Sequence, residues 1–406
     1  MEGLSEDDQS LNRIDMDEGQ KYSMLVVGYK CYPGHLADYI RNLKKVNPSV
    51  DISLVTTRDL CEMTEDLVRN TSHIFRIRLY GGKGAFVRKM VDVLRIVRFF
   101  ARLSLTHRYD FVNIHYPIPR ISHVIPWMKR MTDHLMITPW GSDVLRVDAS
   151  YAIERMRRIY DAASCVMVDP DTQLGVEIKT KFKCSPAKIL QIAWGMEYVD
   201  FIQKENPTET VDESKERFGL NGKYVITCGY NSRLEQRHNA IIDAIAKIKD
   251  NLPKNLILLF PFTYGKQPWM GYSRSLLERC SENGLTGMVI NEFLSYRDLY
   301  MLRNATDMFV HVQTTDAASS CVMQYILCNK KIVHGSWIKY NDLERVQPRF
   351  FFPVERMEDL DRVILSAYQS DKIVFSQELI DLIMSRGWTE RMKKLNAYCE
   401  SVLNRQ

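Results

Sequence analysis

Met308-Phe309-Val310-His311-Val312, then Thr315-Asp316-Ala317-Ala318-Ser319-Ser320-Cys321-Val322-Met323-Gln324, is a strand, a small-residue loop and the start of a helix. The first five residues, apolar but for His311, read as a buried parallel strand, because a near-continuous apolar run has no solvent face. Cys321 to Cys328 reads as a short apolar helix, and Lys331 to His334 leads into a turn at Gly335. Between strand and helix, backbone N–H groups can face an anion. Asp316 and Gln324 stand at the two ends of that unit. If the loop holds a phosphate, Asp316 faces one side of the ligand and Gln324 the other. That is the geometry needed to hold a nucleotide with something attached.

The same alternation extends in both directions. Strand candidates are Ser23 to Gly28, Asp51 to Thr56, Phe111 to Ile114, Leu135 to Thr138 and Cys165 to Asp169. A second series comprises Tyr224 to Gly229, Leu256 to Phe260, Gly287 to Ile290, Met308 to Val312 and Lys331 to Val333. Amphipathic segments such as His35 to Val46 and Val144 to Ala162 lie between them. Strands alternating with helices argue for parallel sheets covered on both faces. The expected fold is therefore α/β, two doubly wound Rossmann-like domains facing a cleft. The boundaries are an acidic, disordered tail at 1–21, a first domain at 22–203 and a second at 215–376. Helices within 377–406 complete the first domain. The polar stretch from Gln203 to Glu216, with Pro207, is the linker. Ligands of such sheets bind at the carboxyl ends of the strands, so the cleft is the expected site.

Bulk properties narrow the function. At 406 residues the chain exceeds one ordinary core. A net charge of +5 gives no general reason to bind nucleic acid. The nine cysteines are scattered without C-x-x-C spacing, which suits a reducing cytoplasm. No metal-ligand spacing appears, so neither a metal nor a cofactor is expected. The N-terminus has no signal-peptide pattern, and no apolar run is long enough to span a membrane.

The strand-end loops carry the candidate chemistry. Gly34 permits a tight turn before the first helix, with His35 beside it. His115 follows the Phe111 strand and precedes Pro117 and Pro119; it is either a cleft residue or a satisfied structural histidine. Trp140, Gly141 and Asp143 follow the next strand, where capping alone explains an aspartate. Asn231, Ser232, Arg233, Arg237 and His238 open the second half, where arginine suits bidentate phosphate binding. The segment 85–105 mixes basic and apolar residues at helical spacing. It reads either as a helix lying on an anionic membrane surface or as one packed on the core with a solvated basic face.

These residues together resemble the two-domain nucleotide-sugar glycosyltransferases of the GT-B type, over nearly the whole chain. They are similar to family 4 enzymes, in which a glutamate, seven residues and a second glutamate follow a strand of the second domain. Asp316 and Gln324 occupy those positions. The Gly229, Asn231, Ser232, Arg237, His238 pattern is similar to the fucosaminyltransferases of enterobacterial common antigen synthesis. Ala193 to Glu197 and Phe201 resemble the segment that precedes the domain crossover.

The resemblance implies a hexosyltransferase that takes a nucleotide-diphosphate sugar and a glycan or lipid-linked acceptor in bacterial surface-polysaccharide synthesis. It implies retention of configuration. No Asp-x-Asp metal motif stands out, which adds metal independence, and the cysteine usage and the basic segment 85–105 add a cytoplasmic protein peripheral to the membrane. His115 and Asp316 are implied as catalytic. Gly34, Asn231, Ser232, Arg233, Arg237, His238, Ser319, Ser320 and Gln324 are implied to hold the donor, and His35, Trp140 and Asp143 face the acceptor. The chain departs from the family where Asp316 and Gln324 replace glutamates. A sugar-nucleotide epimerase of the same architecture, or a non-catalytic partner subunit, stands as the alternative.

Overall fold

The computed structural model describes residues 20–29, 31–59, 63–79, 86–192, 194–316, 319–371 and 373–405, with the backbone alone at 86–89. The acidic tail as far as residue 19, Ala85, Ala193 and Ala317–Ala318 lie outside the described residues.

The first sheet holds β1 (Ser23–Gly28), β2 (Asp51–Thr56), β3 (His73–Arg76), β4 (Phe111–His115), β5 (His134–Thr138), β6 (Cys165–Met167) and β7 (Ile189–Leu190). Its order is β3-β2-β1-β4-β5-β6-β7. The second holds β8 (Tyr224–Cys228), β9 (Leu256–Pro261), β10 (Gly287–Ile290), β11 (Met308–His311), β12 (Lys331–Gly335) and β13 (Phe352–Val354), in the order β10-β9-β8-β11-β12-β13. Every pairing in both sheets is parallel. The strand order reverses direction between β1 and β4 and again between β8 and β11, so each sheet has one switch point for a ligand. In the first, Gly28 lies opposite His115.

The apolar runs become strands because helices cover both faces. Leu25 and Val27 point into one buried cluster, and Met24 and Val26 into another. Each such side chain contributes about 1.5–3 kcal/mol by burial. Three short strands have no counterpart in the sequence periodicity. β3, β7 and β13 lie at or beside sheet edges, and segments of two to four residues carry too little pattern.

Three expectations need correction. Val144 to Ala162 is two helices, Ser142–Leu145 and Ser150–Ala162. Lys181 reaches the Val144 carbonyl and the Asp148 carboxylate between them. The expected linker is mostly helical. The helix Glu197–Glu205 ends at Asn206, which takes a left-handed φ of 42°, and Thr210 then opens Val211–Arg217 with a capping box to Glu213. The final helices divide their packing. Gln377–Met384 buries Leu379 and Ile383 against Phe350 and Tyr340 of the second half. Only Trp388–Leu403 crosses back, burying Trp388, Met392, Leu395 and Cys399 against Tyr39 and Leu43.

Asp200 secures that crossing. Its carboxylate accepts the backbone N–H groups of Trp388 (2.7 Å) and Thr389 (3.2 Å). A side chain at Gly387 would meet it at 2.9 Å. Asp200→Ala is expected to lower unfolding free energy by about 1–2 kcal/mol, the worth of a helix cap. An unchanged urea midpoint would refute that.

Candidate functional site

The carboxyl ends of both sheets open on a cleft of about 360 Å³. That volume suits a small-molecule site. The first half supplies His35, Trp140 and Asp169, the crossover supplies Trp194 and Glu197, and the second half supplies Ser320 and Gln324. Trp388 and Arg386 enter from the C-terminal helices.

The first wall is aromatic. Trp140 and Trp194 lie 5.1 Å apart, and Trp194 and Trp388 5.0 Å. A β-carbon at Gly195 would sit 2.3 Å from the Trp388 ring, so only glycine lets that indole approach. His35 is exposed at the first turn of the helix Pro33–Val46, with its ring 5.3 Å from Trp140. Desolvation among these rings holds its imidazole below the usual value, with Asp38 opposing the shift. Gly34 has ordinary helical backbone, and its hydrogen faces the Tyr32 ring, which a β-carbon would meet at 2.8 Å. It supplies no turn, contrary to expectation.

His115 does not reach the cleft. It is fully buried under Trp140 (6.3 Å) and Trp194 (6.1 Å), edge-on to Tyr39 at 4.4 Å. Among the described residues neither ring nitrogen has a hydrogen-bond partner. Burial pushes its pKa down to about 3, so the ring is neutral at physiological pH. Asp143 is likewise turned inward. Its Oδ1 accepts the N–H groups of Trp140 (2.9 Å) and Gly141 (2.7 Å), which holds a turn where Gly141 has φ 115°. Burial raises its pKa to about 7, against the lowering effect of those N–H groups. It shapes the Trp140 turn and does not line the cleft.

On the second wall the helix Ser320–Leu327 begins at the cleft. Ser319 caps it, accepting the Cys321 N–H at 3.2 Å, so Ser320 and not Ser319 faces the opening. Gln324 lines the cleft one turn on. Asp316 is turned into the second sheet. Its Oδ2 accepts the Tyr340 hydroxyl at 2.9 Å and lies 3.2 Å from His311 Nε2. His311 in turn meets His334 across 2.9 Å. The carboxylate implied as catalytic is therefore held by Tyr340 and His311 and has no share of the cleft lining.

The β8 loop also folds inward. Asn231 is buried and accepts the Arg233 N–H at 3.0 Å. Ser232 is fully buried. His238 packs in the core with Nδ1 2.9 Å from the Tyr272 hydroxyl, and burial lowers its pKa to about 3. These three are core or turn residues and do not line the cleft. Arg233 is exposed. Arg237, at φ 59°, sets its guanidinium 5.2 Å over the Trp337 ring, and partial burial lowers its pKa. Neither arginine lines the cavity.

Of the residues singled out in the sequence, His35, Trp140, Ser320 and Gln324 meet at the cleft. Asp169, Thr172 and Arg386 were missed, and Trp194 and Glu197 were named only as part of the segment before the crossover. Asp169-Pro170-Asp171-Thr172 follows β6 as a turn-and-cap signature, and Thr172 does cap Gln173–Lys181. Glu197 joins the halves, pairing with Arg41 and accepting the Tyr296 hydroxyl. Arg386 carries no local signal. It is brought in by the C-terminal chain reversal and pairs with buried Asp342.

No family model matches the chain, and no curated protein sequence matches it. Solved structures do. HepE of Anabaena, crystallised with UDP and glucose, is 13% identical with a TM-score of 0.66, over 94% of this chain and 100% of its own. A glycosyltransferase from Rickettsia africae is 13% identical with a TM-score of 0.66, over 95% of this chain and 100% of its own. A UDP-N-acetylglucosamine 2-epimerase is 11% identical with a TM-score of 0.57, over 95% of this chain and 98% of its own. At such identities the likeness is one of fold: two Rossmann-like domains facing a cleft, the GT-B arrangement.

Proposed function

We propose that the protein is a glycosyltransferase that moves a sugar from a nucleotide-diphosphate sugar, a UDP-sugar by analogy with HepE, to a glycan or lipid-linked acceptor. The observation that carries this reading is the asymmetry of the cleft. One wall is aromatic with the Asp38 and Asp169 carboxylates; the other presents the start of a helix with Ser320 and Gln324. The first suits sugar faces and hydroxyls, the second a diphosphate.

In this reading the leaving diphosphate gains charge against the second wall, and preorganised N–H donors there stabilise it. Arg233 and Arg237, which stand outside the cavity lining, swing toward the diphosphate when the donor binds. Asp316 is anchored by Tyr340 and His311 on the second wall, and His115 supports the Trp140 floor from beneath. The transfer is metal-independent and retaining, in the manner of family 4 and of the fucosaminyltransferases, and serves bacterial surface-polysaccharide synthesis.

The helix Phe86–Thr106 supports a lipid-linked acceptor. It buries Ile96, Phe100 and Leu103 but exposes Met90, Leu94 and Leu105 beside Arg98 and Arg102. Such a face suits the anionic inner surface of a membrane. Among the described residues no helix is long and apolar enough to cross one.

The test is to supply UDP-sugars with lipid-linked acceptors in anionic vesicles, with a chelator present. Released UDP that requires the acceptor is expected, and Leu94→Asp is expected to weaken vesicle binding without changing the fold. UDP-sugar that is consumed without acceptor, with a changed sugar as product, would establish the epimerase reading instead. That reading is favoured by the epimerase among the fold neighbours.

A further inference from the structure

Arg303, on the helix Tyr296–Ala305, is 2% exposed, yet no carboxylate pairs with it among the described residues. Its Nε donates to Gln324 Oε1 at 3.1 Å, and its Nη1 donates to the Tyr325 hydroxyl at 2.9 Å. The guanidinium lies 4.7 Å over the Tyr325 ring. The acids within reach are not ionised at neutral pH. Burial pushes the Cys321 thiol up to about 11 and the Tyr325 phenol up to about 12, with Arg303 pulling both back only in part. A buried cation without a counter-ion is costly, and here it stands directly behind a residue that lines the cleft.

Arginine has donors only, so the amide oxygen of Gln324 must face it. The two amide N–H groups are then left for the cleft. A glutamate here, as in the resembling family, would present acceptors to hydroxyl groups. This chain presents donors backed by a full positive charge.

We propose that Arg303 and Gln324 form an anion-reading wall, and that the ligand group seated at Gln324 is a phosphate oxygen rather than a ribose hydroxyl. The assignment rests on the reading of this cleft as a nucleotide-sugar site and makes it more specific. Arg303 is a positioning residue: it fixes the amide orientation and supplies the field that an anion answers.

Calorimetry on the full chain with inorganic pyrophosphate and with UDP tests this, using Gln324→Glu and the volume-conserving Gln324→Leu. The new carboxylate of Gln324→Glu would pair with Arg303, so its melting temperature is expected to hold or rise. Affinity for both ligands is expected to fall at least tenfold in Gln324→Glu and to weaken in Gln324→Leu. Pyrophosphate bound by the wild type and lost in Gln324→Glu would uphold the anion wall even if no nucleotide sugar turns over, which would sink only the donor-site reading. UDP bound by Gln324→Glu as tightly as by the wild type would overturn the wall and leave the donor site standing. No binding of either ligand by the wild type would overturn both.

Discussion

Asp342→Ala is expected to destabilise the protein by about 3–5 kcal/mol, the cost of leaving a buried charge without its partner. Asp342 and Arg386 are 1% and 3% exposed, and they form an ion pair. Besides Asp342, the Arg386 guanidinium reaches the Met323 sulfur at 3.4 Å, a weak acceptor. Asp342 Oδ1 and Arg386 Nε have no hydrogen-bond partner among the described residues. The pair is thus poorly compensated for desolvation, and loss of the acid leaves the guanidinium stranded. Arg386 also holds the crossover, since its carbonyl accepts the Met196 N–H at 2.9 Å. A domain stability of about 5–15 kcal/mol would lose a large share. The double replacement Asp342→Leu with Arg386→Met, which removes both charges, is expected to recover most of the loss. Urea unfolding decides this: a single-mutant cost below about 1 kcal/mol, or a double mutant no better than the single, contradicts the account.

The second large effect is acid lability. His115, His238 and His334 all have pKa values lowered to about 3, by burial in each case and for His334 also by His311. An unfolded imidazole titrates near 6.5, so between about pH 3 and 6.5 the unfolded chain binds more protons than the folded one. Stability is then lost as pH falls through that window. From pH 7 to pH 5 each imidazole withdraws about 2 kcal/mol. Asp143 acts the other way. Its carboxyl pKa is raised to about 7, so the folded state holds that proton and gains about 2 kcal/mol over the same interval. Three histidines outweigh one aspartate, and a net loss of about 4 kcal/mol is expected. Urea midpoints at pH 5, 6 and 7 measure it. His115→Phe, which suits the same apolar pocket, is expected to remove about a third of the histidine contribution. A flat profile between pH 7 and 5 would show that these imidazoles are not held neutral.

Much of the fold was legible because its main signal is local. Strands buried on both faces are rich in apolar residues, and β1, β2, β8 and β11 announce themselves by short apolar runs. The capping box at Thr210 and Glu213 was equally legible, yet the polarity of that stretch read as a linker. The candidate site was legible only in part. His115, Asp143, His238 and Asp316 all stand at strand ends or in strand-end loops, where a polar residue can turn either way. Each has been drawn inward by groups from elsewhere: the Trp194 and Tyr39 rings over His115, Tyr272 against His238, Tyr340 and His311 on Asp316.

The sequence alone therefore determined the class of fold, the two series of parallel strands and the location of the cleft at their carboxyl ends. Periodicity records which faces are buried, and the chain order of strands and helices leaves few topologies open. Only the tertiary structure decided which side chains face that cleft. Arg303 stands behind Gln324, Arg386 arrives from the C-terminal reversal, and Trp388 completes a floor begun by Trp140 and Trp194. These groups come from segments far apart in sequence. Burial, hydrogen bonding and charge among them depend on distances that no local pattern encodes.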